Sequence, residues 1–333
     1  MTVSTSLITV FGATGNQGGA VVRSLLQNPS FTVRALTRNP SSAASQTLAA
    51  QGAEIYQADG FSSESMLKAF SGSWGVFVNI NSDDQAFKPD GPTEFDMGKI
   101  IVDAAARAGV RHFIFSSGPD CETLTKGKVK MNAADMKYKI EKYARSIGQF
   151  ETVSFICAAW FFENFLSNDI AAVFGGFPHM PDAEGYLTFV APKWGGDEDV
   201  PFISMTDDFG DIVQGMFLDP VQWNGRVVHG CSDICSFEDL VSTFERLSGR
   251  RSRFQPLSSW EAFNTHGIPA LDDTKAMFGF TQNNQGRYFG PEPSETETAS
   301  KLKQTTAAAL GRPKEEQKLM SVEEWFRKHF HFQ

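Results

Sequence analysis

The sequence predicts an α/β protein in which a doubly wound parallel sheet carries a smaller α/β lobe. Two observations indicate this fold class. Short runs rich in β-branched and aromatic residues alternate with longer amphipathic patterns through the first half of the chain, and a glycine-rich loop joins the first run to the first amphipathic pattern. Such alternation is typical of parallel strands linked by right-handed helical crossovers. The 333 residues, 41% of them apolar, are enough to bury the core of such a fold.

The alternating segments predict a Rossmann domain over residues 1–157. Short apolar runs predict strands, and longer patterns with apolar residues three or four positions apart predict helices. Taken as strand and helix by turns, the segments are 7–11, 17–27, 32–36, 41–51, 54–57, 63–70, 75–80, 94–107, 112–115, 133–147 and 152–157.

The pattern becomes less regular beyond this domain. Aromatic residues crowd 160–165, and proline, glycine and acidic residues interrupt 174–201. A short apolar run at 227–229 predicts a strand that returns to the main sheet. The expected domain limits are therefore 1–157 with a completing segment near 202–232 for the Rossmann domain, and 158–201 with 233–333 for the smaller substrate or partner lobe.

Two features mark the C-terminal part of the chain. The stretch 282–313 is polar, with prolines and a Ser/Thr-rich acidic segment, and predicts a mobile loop. Ser321 and Glu324 have the spacing of a capping box ahead of Trp325 and Phe326, which predicts a docked amphipathic helix at the end of the chain.

Charge and cysteine content narrow the classes of partner. The 30 Lys and Arg against 39 Asp and Glu give a net charge of −9, which disfavours direct binding to nucleic acid or to an anionic membrane. The four cysteines form no CxxC motif, which fits a reducing compartment. Neither a signal peptide nor a membrane-spanning stretch is recognisable, and the histidines are scattered. We expect a cytoplasmic protein without a metal site, and the oligomeric state stays open.

The loop GATGNQG at 12–18 follows a predicted strand and opens a predicted helix, which is the context of a dinucleotide-binding loop. Gly12 permits a tight turn, and Gly15 lets backbone amides approach a pyrophosphate. Gly18 allows the helix to pack closely on the strand. The remaining residues expected to contact the cofactor in this loop are Thr14, Asn16 and Gln17. The alternative is a glycine-rich turn without a ligand.

The end of the second strand predicts which nicotinamide cofactor is bound. An acidic residue there would accept a hydrogen bond from a ribose 2′-hydroxyl, but this chain has Arg38, whose guanidinium suits a 2′-phosphate. We therefore expect NADP(H), although Arg38 could also be a solvated surface residue. Asp59 is expected near the adenine. Asn79 and Asn81 are expected beside the cofactor or, alternatively, in a turn.

Hydride chemistry needs a group that exchanges a proton with the substrate oxygen. Tyr138 and Lys142 have the Tyr-x-x-x-Lys spacing of many short-chain reductases, but a helical wheel places both away from the apolar face. Lys137 falls on the flank of that face, so we expect it to bind the nicotinamide ribose or to act as acid or base. Its alternative role is a solvated partner of Glu141. Ser117, after the fifth strand, is expected to donate to the substrate oxygen.

Taken together, several motifs resemble the NmrA-like family of atypical short-chain dehydrogenase/reductases. They are the loop GATGNQG, the TRNP turn at 37–40, the serine-glycine pair after strand five, Lys137 with Glu141, and the FEN sequence at 162–164. The resemblance implies an NADP-preferring Rossmann domain, with a cleft under the smaller lobe, and it adds Phe162 and Asn164 to the expected cofactor contacts. Ala133 stands where a reductase would have its tyrosine, which departs from ordinary ketoreductases.

The resemblance leaves two functions open. Some relatives in the family reduce small molecules with a lysine that matches Lys137, which implies an NADPH-dependent reductase of an apolar or aromatic molecule, as in fungal secondary metabolism. Others bind the dinucleotide as redox sensors, which implies a non-catalytic NADP(H)-responsive regulator of a partner protein. The first hypothesis requires a small-molecule substrate, and the second requires a regulated protein partner.

Overall fold

The computed structural model describes residues 5–87, 90–330 and 332. In chain order the strands are β1 (Ser6–Phe11), β2 (Phe31–Thr37), β3 (Glu54–Gln57), β4 (Gly75–Val78), β5 (His112–Ser116), β6 (Thr152–Ala158), β7 (Trp160–Phe161), β8 (Leu187–Pro192), β9 (Val200–Ile203), β10 (Val227–Gly230), β11 (Asp233–Cys235) and β12 (Ser252–Leu257). The α-helices are α1 (Asn16–Leu26), α2 (Ala43–Ala50), α3 (Ser63–Phe70), α4 (Glu94–Arg107), α5 (Cys121–Leu124), α6 (Asn132–Ile147), α7 (Asn168–Val173), α8 (Gly210–Leu218), α9 (Phe237–Ser248), α10 (Pro269–Asn283), α11 (Glu297–Ala309) and α12 (Val322–His329).

Seven strands form a parallel sheet, which confirms the predicted fold class. The strand order is β10-β6-β5-β4-β1-β2-β3, and each neighbouring pair runs parallel. The direction of the chain order reverses between β1 and β4, which lie side by side. In an open α/β sheet such a reversal creates a crevice at the carboxyl ends of the strands, where ligands bind.

Helices cover both faces of this sheet. On one face α1, α8 and α11 pack together, and their apolar side chains form one buried cluster with those of β1 and β2. On the other face α3, α4 and α6 pack against β4 and β5. The crevice between β1 and β4 is therefore held between two packed layers. Within the described part of the chain, no helix combines the length and apolar character needed to cross a bilayer.

The smaller lobe is built around aromatic side chains. Its two sheets have the strand orders β11-β9-β7 and β12-β8, and α9, α10 and α12 contribute to the same buried cluster. The Trp160 ring lies 5.5 Å from the rings of both Phe174 and Phe237, measured between centroids. Aromatic contacts at such distances add to the free energy gained by burying the rings. Much of the aromatic crowding at 160–165 therefore serves the core of this lobe.

The structure corrects the prediction of a mobile loop at 282–313, because α11 occupies Glu297–Ala309 within it. Ala299, Leu302 and Thr306 are buried on one side of this helix, while most of its other residues are polar. This narrow buried face, made partly of small residues, hid the helix in a polar sequence. Because α11 packs on α8, it lies against the Rossmann sheet, although the expected domain limits give it to the smaller lobe.

The predicted capping box at the end of the chain is confirmed. The Ser321 hydroxyl accepts from the Glu324 N–H, and the Glu324 carboxylate accepts from the Ser321 N–H, both at 3.2 Å. The helix α12 that follows buries Trp325 and Phe326 in the aromatic cluster.

A buried ion pair ties α11 to the rest of the molecule. The Lys303 ammonium pairs with Asp208, whose side chain is 0% exposed. The same carboxylate accepts from the Ser232 hydroxyl and, at 2.9 Å, from the Met320 N–H. Burial raises the pKa of Asp208, and the nearby Lys303 charge opposes that rise.

Lys303→Met should therefore lower the free energy of unfolding by about 3–5 kcal/mol, because it leaves a buried carboxylate without its counter-charge. Losing the lysine raises the folded-state pKa of Asp208 further above its unfolded value, so the loss should be larger at pH 8 than at pH 5. Urea unfolding at the two pH values measures both effects. Lys301→Met, at an exposed position of the same helix, is the matched control. A loss below about 1 kcal/mol at pH 8 would contradict a stabilising role for this pair.

Candidate functional site

A cleft of about 610 Å³ opens where the strand order reverses, at the carboxyl ends of β1, β2 and β4. Its volume is in the range of small-molecule and cofactor sites. The helix α10 of the smaller lobe closes one end. The residues that line the cleft are Phe11, Gly12, Thr14, Gly15, Asn16, Gln17, Leu36, Thr37, Arg38, Ala58, Gly60, Asn79, Ile80, Asn81, Ser82, Asp83, Asp84, Met97, Ala133, Lys137, Phe161, Ala270 and Asp273.

The glycine loop forms the floor of the cleft. Gly12 has φ +77°, and a Cβ at this position would lie 2.3 Å from the Asn79 backbone oxygen of the neighbouring strand connection. A Cβ at Gly18 would lie 2.2 Å from the Gly12 oxygen, so Gly18 lets α1 pack onto the turn but does not itself line the cleft. Both positions therefore exclude a side chain, as expected from the sequence.

Helix α1 begins at this loop, and the backbone N–H groups of its first turn have no hydrogen-bond partner within the helix. Gly15 is the N-cap residue and donates its own N–H to the Gly12 oxygen at 3.0 Å. No side chain within the described residues caps this end of the helix. The helix dipole and free amides make such an end suitable for a phosphate. Gln17 is held in place because its side-chain oxygen accepts from the Ser116 hydroxyl at 2.7 Å.

Arg38, which follows β2, lines the cleft. Its side chain is 64% exposed, and its guanidinium forms an ion pair with Asp84, 2.7 Å away between nitrogen and oxygen. Asn79 lines the cleft beside the glycine loop. Asn81 lines it too, but its side-chain oxygen accepts from the Asp83 N–H at 3.2 Å, so it also shapes the turn after β4. Both positions agree with the placement expected at the ends of parallel strands.

Asp59 lies at the rim of the cleft. Its carboxylate accepts from the Phe61 N–H at 3.1 Å, and its own N–H donates to the Ser65 hydroxyl at 3.1 Å. The side chain is exposed and does not line the cleft, whereas the neighbouring Ala58 and Gly60 do. Any contact with a bound adenine would therefore come from the backbone around Asp59.

Lys137 enters the cleft from α6 in a fixed position. Its ammonium donates to the Ile80 carbonyl oxygen at 2.7 Å and to a carboxylate oxygen of Glu94. The lysine side chain is 13% exposed and the glutamate 3%. Glu141 binds Arg145 and Ser117 instead, which rules out the alternative in which Lys137 pairs with Glu141. Two of the three Nζ protons are committed, and one remains for a ligand in the cleft.

Asp273 closes the cleft at the Lys137 end. Its carboxylate accepts from the Ala133 N–H at 3.2 Å and so caps the first turn of α6 from the smaller lobe. Burial raises the pKa of this carboxyl, and its backbone hydrogen bonds oppose the rise. Ala133 itself lines the cleft, so the position one turn before Lys137 on the same face of α6 carries no hydroxyl.

The structure does not bring Ser117, Phe162 and Asn164 to the cleft. The Ser117 hydroxyl donates to the Glu141 carboxylate at 2.5 Å in a buried position, which leaves it no proton for a substrate oxygen. Phe162 is 1% exposed and stacks on Phe202 in the smaller lobe. Asn164 is half-buried in the short 3-10 helix that follows β7 and does not line the cleft. These three side chains are therefore left out of the site.

Tyr138 and Lys142, which have the Tyr-x-x-x-Lys spacing, also lie outside the cleft. The Lys142 ammonium sits 5.6 Å from the Tyr138 ring centroid, and neither residue lines the cleft. Tyr138 instead faces a separate hollow beside Cys157 and His229. The expectation that this pair points away from the cofactor side of α6 agrees with these positions.

Comparison with known proteins matches one family along nearly the whole chain. The sequence model of the NmrA-like family matches residues 4–325. This chain belongs to the NmrA-like family. The resemblance inferred from the sequence motifs is thereby confirmed.

Two fungal members of the NmrA-like family are similar over almost their full length. The NmrA-like family domain-containing oxidoreductase hkm9 of Aspergillus hancockii is 65% identical over 330 residues, covering 99% of this chain and 98% of that protein. The oxidoreductase lnaB of Aspergillus flavus, named in the same way, is 61% identical over 332 residues, covering 99% of both.

Solved structures share the NmrA-like fold at lower identity. The negative transcriptional regulator NmrA, crystallised with NADP, superposes with a TM-score of 0.77 at 21% identity, covering 98% of this chain and 96% of that one. The quinone oxidoreductase QOR2 of Escherichia coli, crystallised with NADPH, gives 0.67 at 21% identity, covering 97% and 100%. Together they show the fold of this chain.

Sequence reasoning missed several residues of the cleft in this NmrA-like protein or of its support, among them Asp84, Glu94, Ala270 and Asp273. Asp84 lies in the connection after β4, and Glu94 is the first residue of α4. In the sequence, acidic residues at these places indicate only a turn and a helix start. Ala270 and Asp273 reach the cleft from a helix more than a hundred residues away in the chain. Only Glu94, an acid in a first helical turn, gave a local signal, and that signal indicated capping.

Proposed function

We propose that this NmrA-like protein is an NADP(H)-binding oxidoreductase that reduces an apolar or aromatic small molecule. The observation that carries the proposal is a single cleft that contains the glycine loop, Arg38 and a fixed Lys137. The similar fungal proteins named oxidoreductases support the reaction class. The solved structures with NADP or NADPH support the cofactor.

The residues present fit such a cofactor. At Gly12 and Gly18 the loop has no room for a Cβ, and the uncapped start of α1 offers amides to a diphosphate. Among the described residues, the Arg38 side chain pairs with Asp84. Its guanidinium offers a planar set of donors to a 2′-phosphate. The chemistry that bound NADPH supplies is hydride transfer to the substrate.

Lys137 is the protein group placed to assist that chemistry. Two of its N–H groups are held by Ile80 and Glu94, so the third would be available to a ribose hydroxyl or to the substrate oxygen. Phe161 and Ala270 add apolar side chains to the wall of the same cleft. A substrate with an apolar or aromatic body and one polarised double bond suits this combination.

Single-turnover measurement tests the proposal. Purified protein loaded with NADPH is mixed with a panel of aromatic compounds that carry a polarised double bond, and the nicotinamide absorbance is followed. We expect at least one compound to produce a stoichiometric loss of absorbance that requires the protein. A panel that produces none, with NADPH bound throughout, would count against a reductase.

One observation favours a second candidate, a dinucleotide-responsive regulator of a partner protein. No tyrosine or histidine lines the cleft among the described residues, and Ala133 stands where a reductase would have its acid. A regulator must differ in partner affinity between its free and dinucleotide-bound states. Equal affinity for an identified partner with and without NADP(H) would therefore exclude this candidate.

A further inference from the structure

The end of the cleft that holds Arg38 contains an acid that the sequence motifs do not include. Asp84 lines the cleft and pairs with Arg38 at 2.7 Å. The two partners differ in exposure, because the arginine side chain is 64% exposed and the aspartate only 11%. The aspartate side chain is therefore mostly buried in the cleft wall, whereas most of the arginine side chain is in contact with solvent.

Hydrogen bonds and packing fix Asp84 in the turn after β4. One carboxylate oxygen accepts from the Ala86 N–H at 3.0 Å, and the Asp84 N–H donates to the Asn81 backbone oxygen at 3.2 Å. The Phe87 N–H donates to the Asp84 backbone oxygen at 2.9 Å. The Phe87 ring packs edge-on against Phe61, 6.0 Å between centroids, and holds the far end of the turn. A ligand at this end of the cleft would therefore meet a fixed carboxylate.

We propose that Asp84 is a specificity-determining residue that limits the preference for NADP(H) over NAD(H) given by Arg38. The inference rests on the proposed function. Arg38 binds the 2′-phosphate of NADP(H), while Asp84 accepts a hydrogen bond from the 2′-hydroxyl of NAD(H). Many dinucleotide-binding folds place this acid at the end of the second strand, where this chain has Arg38. Here the loop after β4 supplies it from the other side of the same cleft end.

Charge explains why Asp84 acts in opposite directions on the two nucleotides. A 2′-phosphate is an anion with no proton to donate at neutral pH, so a fixed carboxylate beside it weakens binding. A 2′-hydroxyl donates one hydrogen bond, and a carboxylate is a stronger acceptor for it than a neutral amide. Asp84 therefore lowers NADP(H) affinity and raises NAD(H) affinity, and it narrows the selectivity that Arg38 alone would give.

Nucleotide titration of Asp84→Asn tests this inference. The Asn side-chain oxygen can still accept from the Ala86 N–H, so the turn is kept. We expect the Kd for NADPH to fall by about 5-fold and the Kd for NADH to rise by about 5-fold, because one favourable and one unfavourable charge contact are removed. Binding is followed by nicotinamide fluorescence at fixed ionic strength, and thermal unfolding checks that the variant is folded.

Asp169→Asn is the matched control, because it removes the same charge from an exposed residue of α7 that does not line the cleft. Its ratio of the two dissociation constants should stay within about 2-fold of the wild type. An unchanged ratio in Asp84→Asn, or an equal change in both variants, would overturn the inference while leaving the proposed function intact. Failure of the wild type to bind either nucleotide would instead overturn the proposed function, and the inference with it.

Discussion

Lys137→Met should slow single-turnover NADPH oxidation by about 100- to 10,000-fold, the range that a positioned proton donor or acceptor contributes. The methionine keeps the apolar stem but removes the ammonium, so the substrate oxygen loses the one charged donor that α6 aims into the cleft. The rate of absorbance loss is measured at saturating NADPH with an accepted substrate, which separates a defect in transfer from a defect in cofactor binding.

Two further variants keep this result interpretable. Lys137→Met leaves Glu94 buried without its counter-charge, which by itself threatens stability. The double variant Lys137→Met with Glu94→Gln removes both charges and should fold but remain slow. Lys142→Met makes the same replacement at an exposed position on the same helix and should react at the wild-type rate. A rate for Lys137→Met within about 3-fold of the wild type would remove this lysine from the mechanism.

Arg38→Asp should weaken NADPH binding by about 2–3 kcal/mol, or about 30- to 150-fold in Kd. The change removes a charge-assisted contact to the 2′-phosphate and places a second carboxylate next to Asp84, so the site repels the phosphate. NADH lacks that phosphate and should lose much less affinity. Titration with both nucleotides at the same ionic strength measures the difference.

Arg246→Asp controls for the change in net charge. Arg246, on α9, is also exposed and lies outside the cleft. It pairs with the carboxylate of Glu323. Arg246→Asp should leave both affinities unchanged. Should the wild type bind NADH as tightly as NADPH, or should Arg38→Asp weaken both nucleotides alike, the assignment of Arg38 to the 2′-phosphate would be wrong.

The fold could be predicted from sequence because its signals are local. Apart from the short helix α5, the strands and helices of the first 157 residues have their own apolar patterns. Parallel order with right-handed crossovers follows from their alternation. Lys137 could be found in the same way, since the helical period alone separates it from Tyr138. The glycine loop could be recognised in the sequence because the backbone at Gly12 and Gly18 has no room for a side chain, so both positions require glycine.

The parts of the site that sequence could not give depend on distant packing. Glu94 supports Lys137 from another helix, and Asp273 reaches α6 from the smaller lobe. The expected cofactor contact Phe162 is one position from the phenylalanine that lines the cleft. Phe161, the last residue of β7, lies there, and Phe162 is buried in the aromatic core. Ser117 has the right place in the chain, but its hydroxyl is taken by Glu141.

The central claim is that one cleft holds a dinucleotide, with the glycine loop at its diphosphate and Arg38 at its 2′-phosphate. Calorimetric titration of the purified wild-type protein with NADPH and, separately, with NADH tests it most directly. The account predicts saturable binding of one NADPH per chain, with NADH bound more weakly. A titration that gives no binding of either nucleotide to folded protein would contradict it.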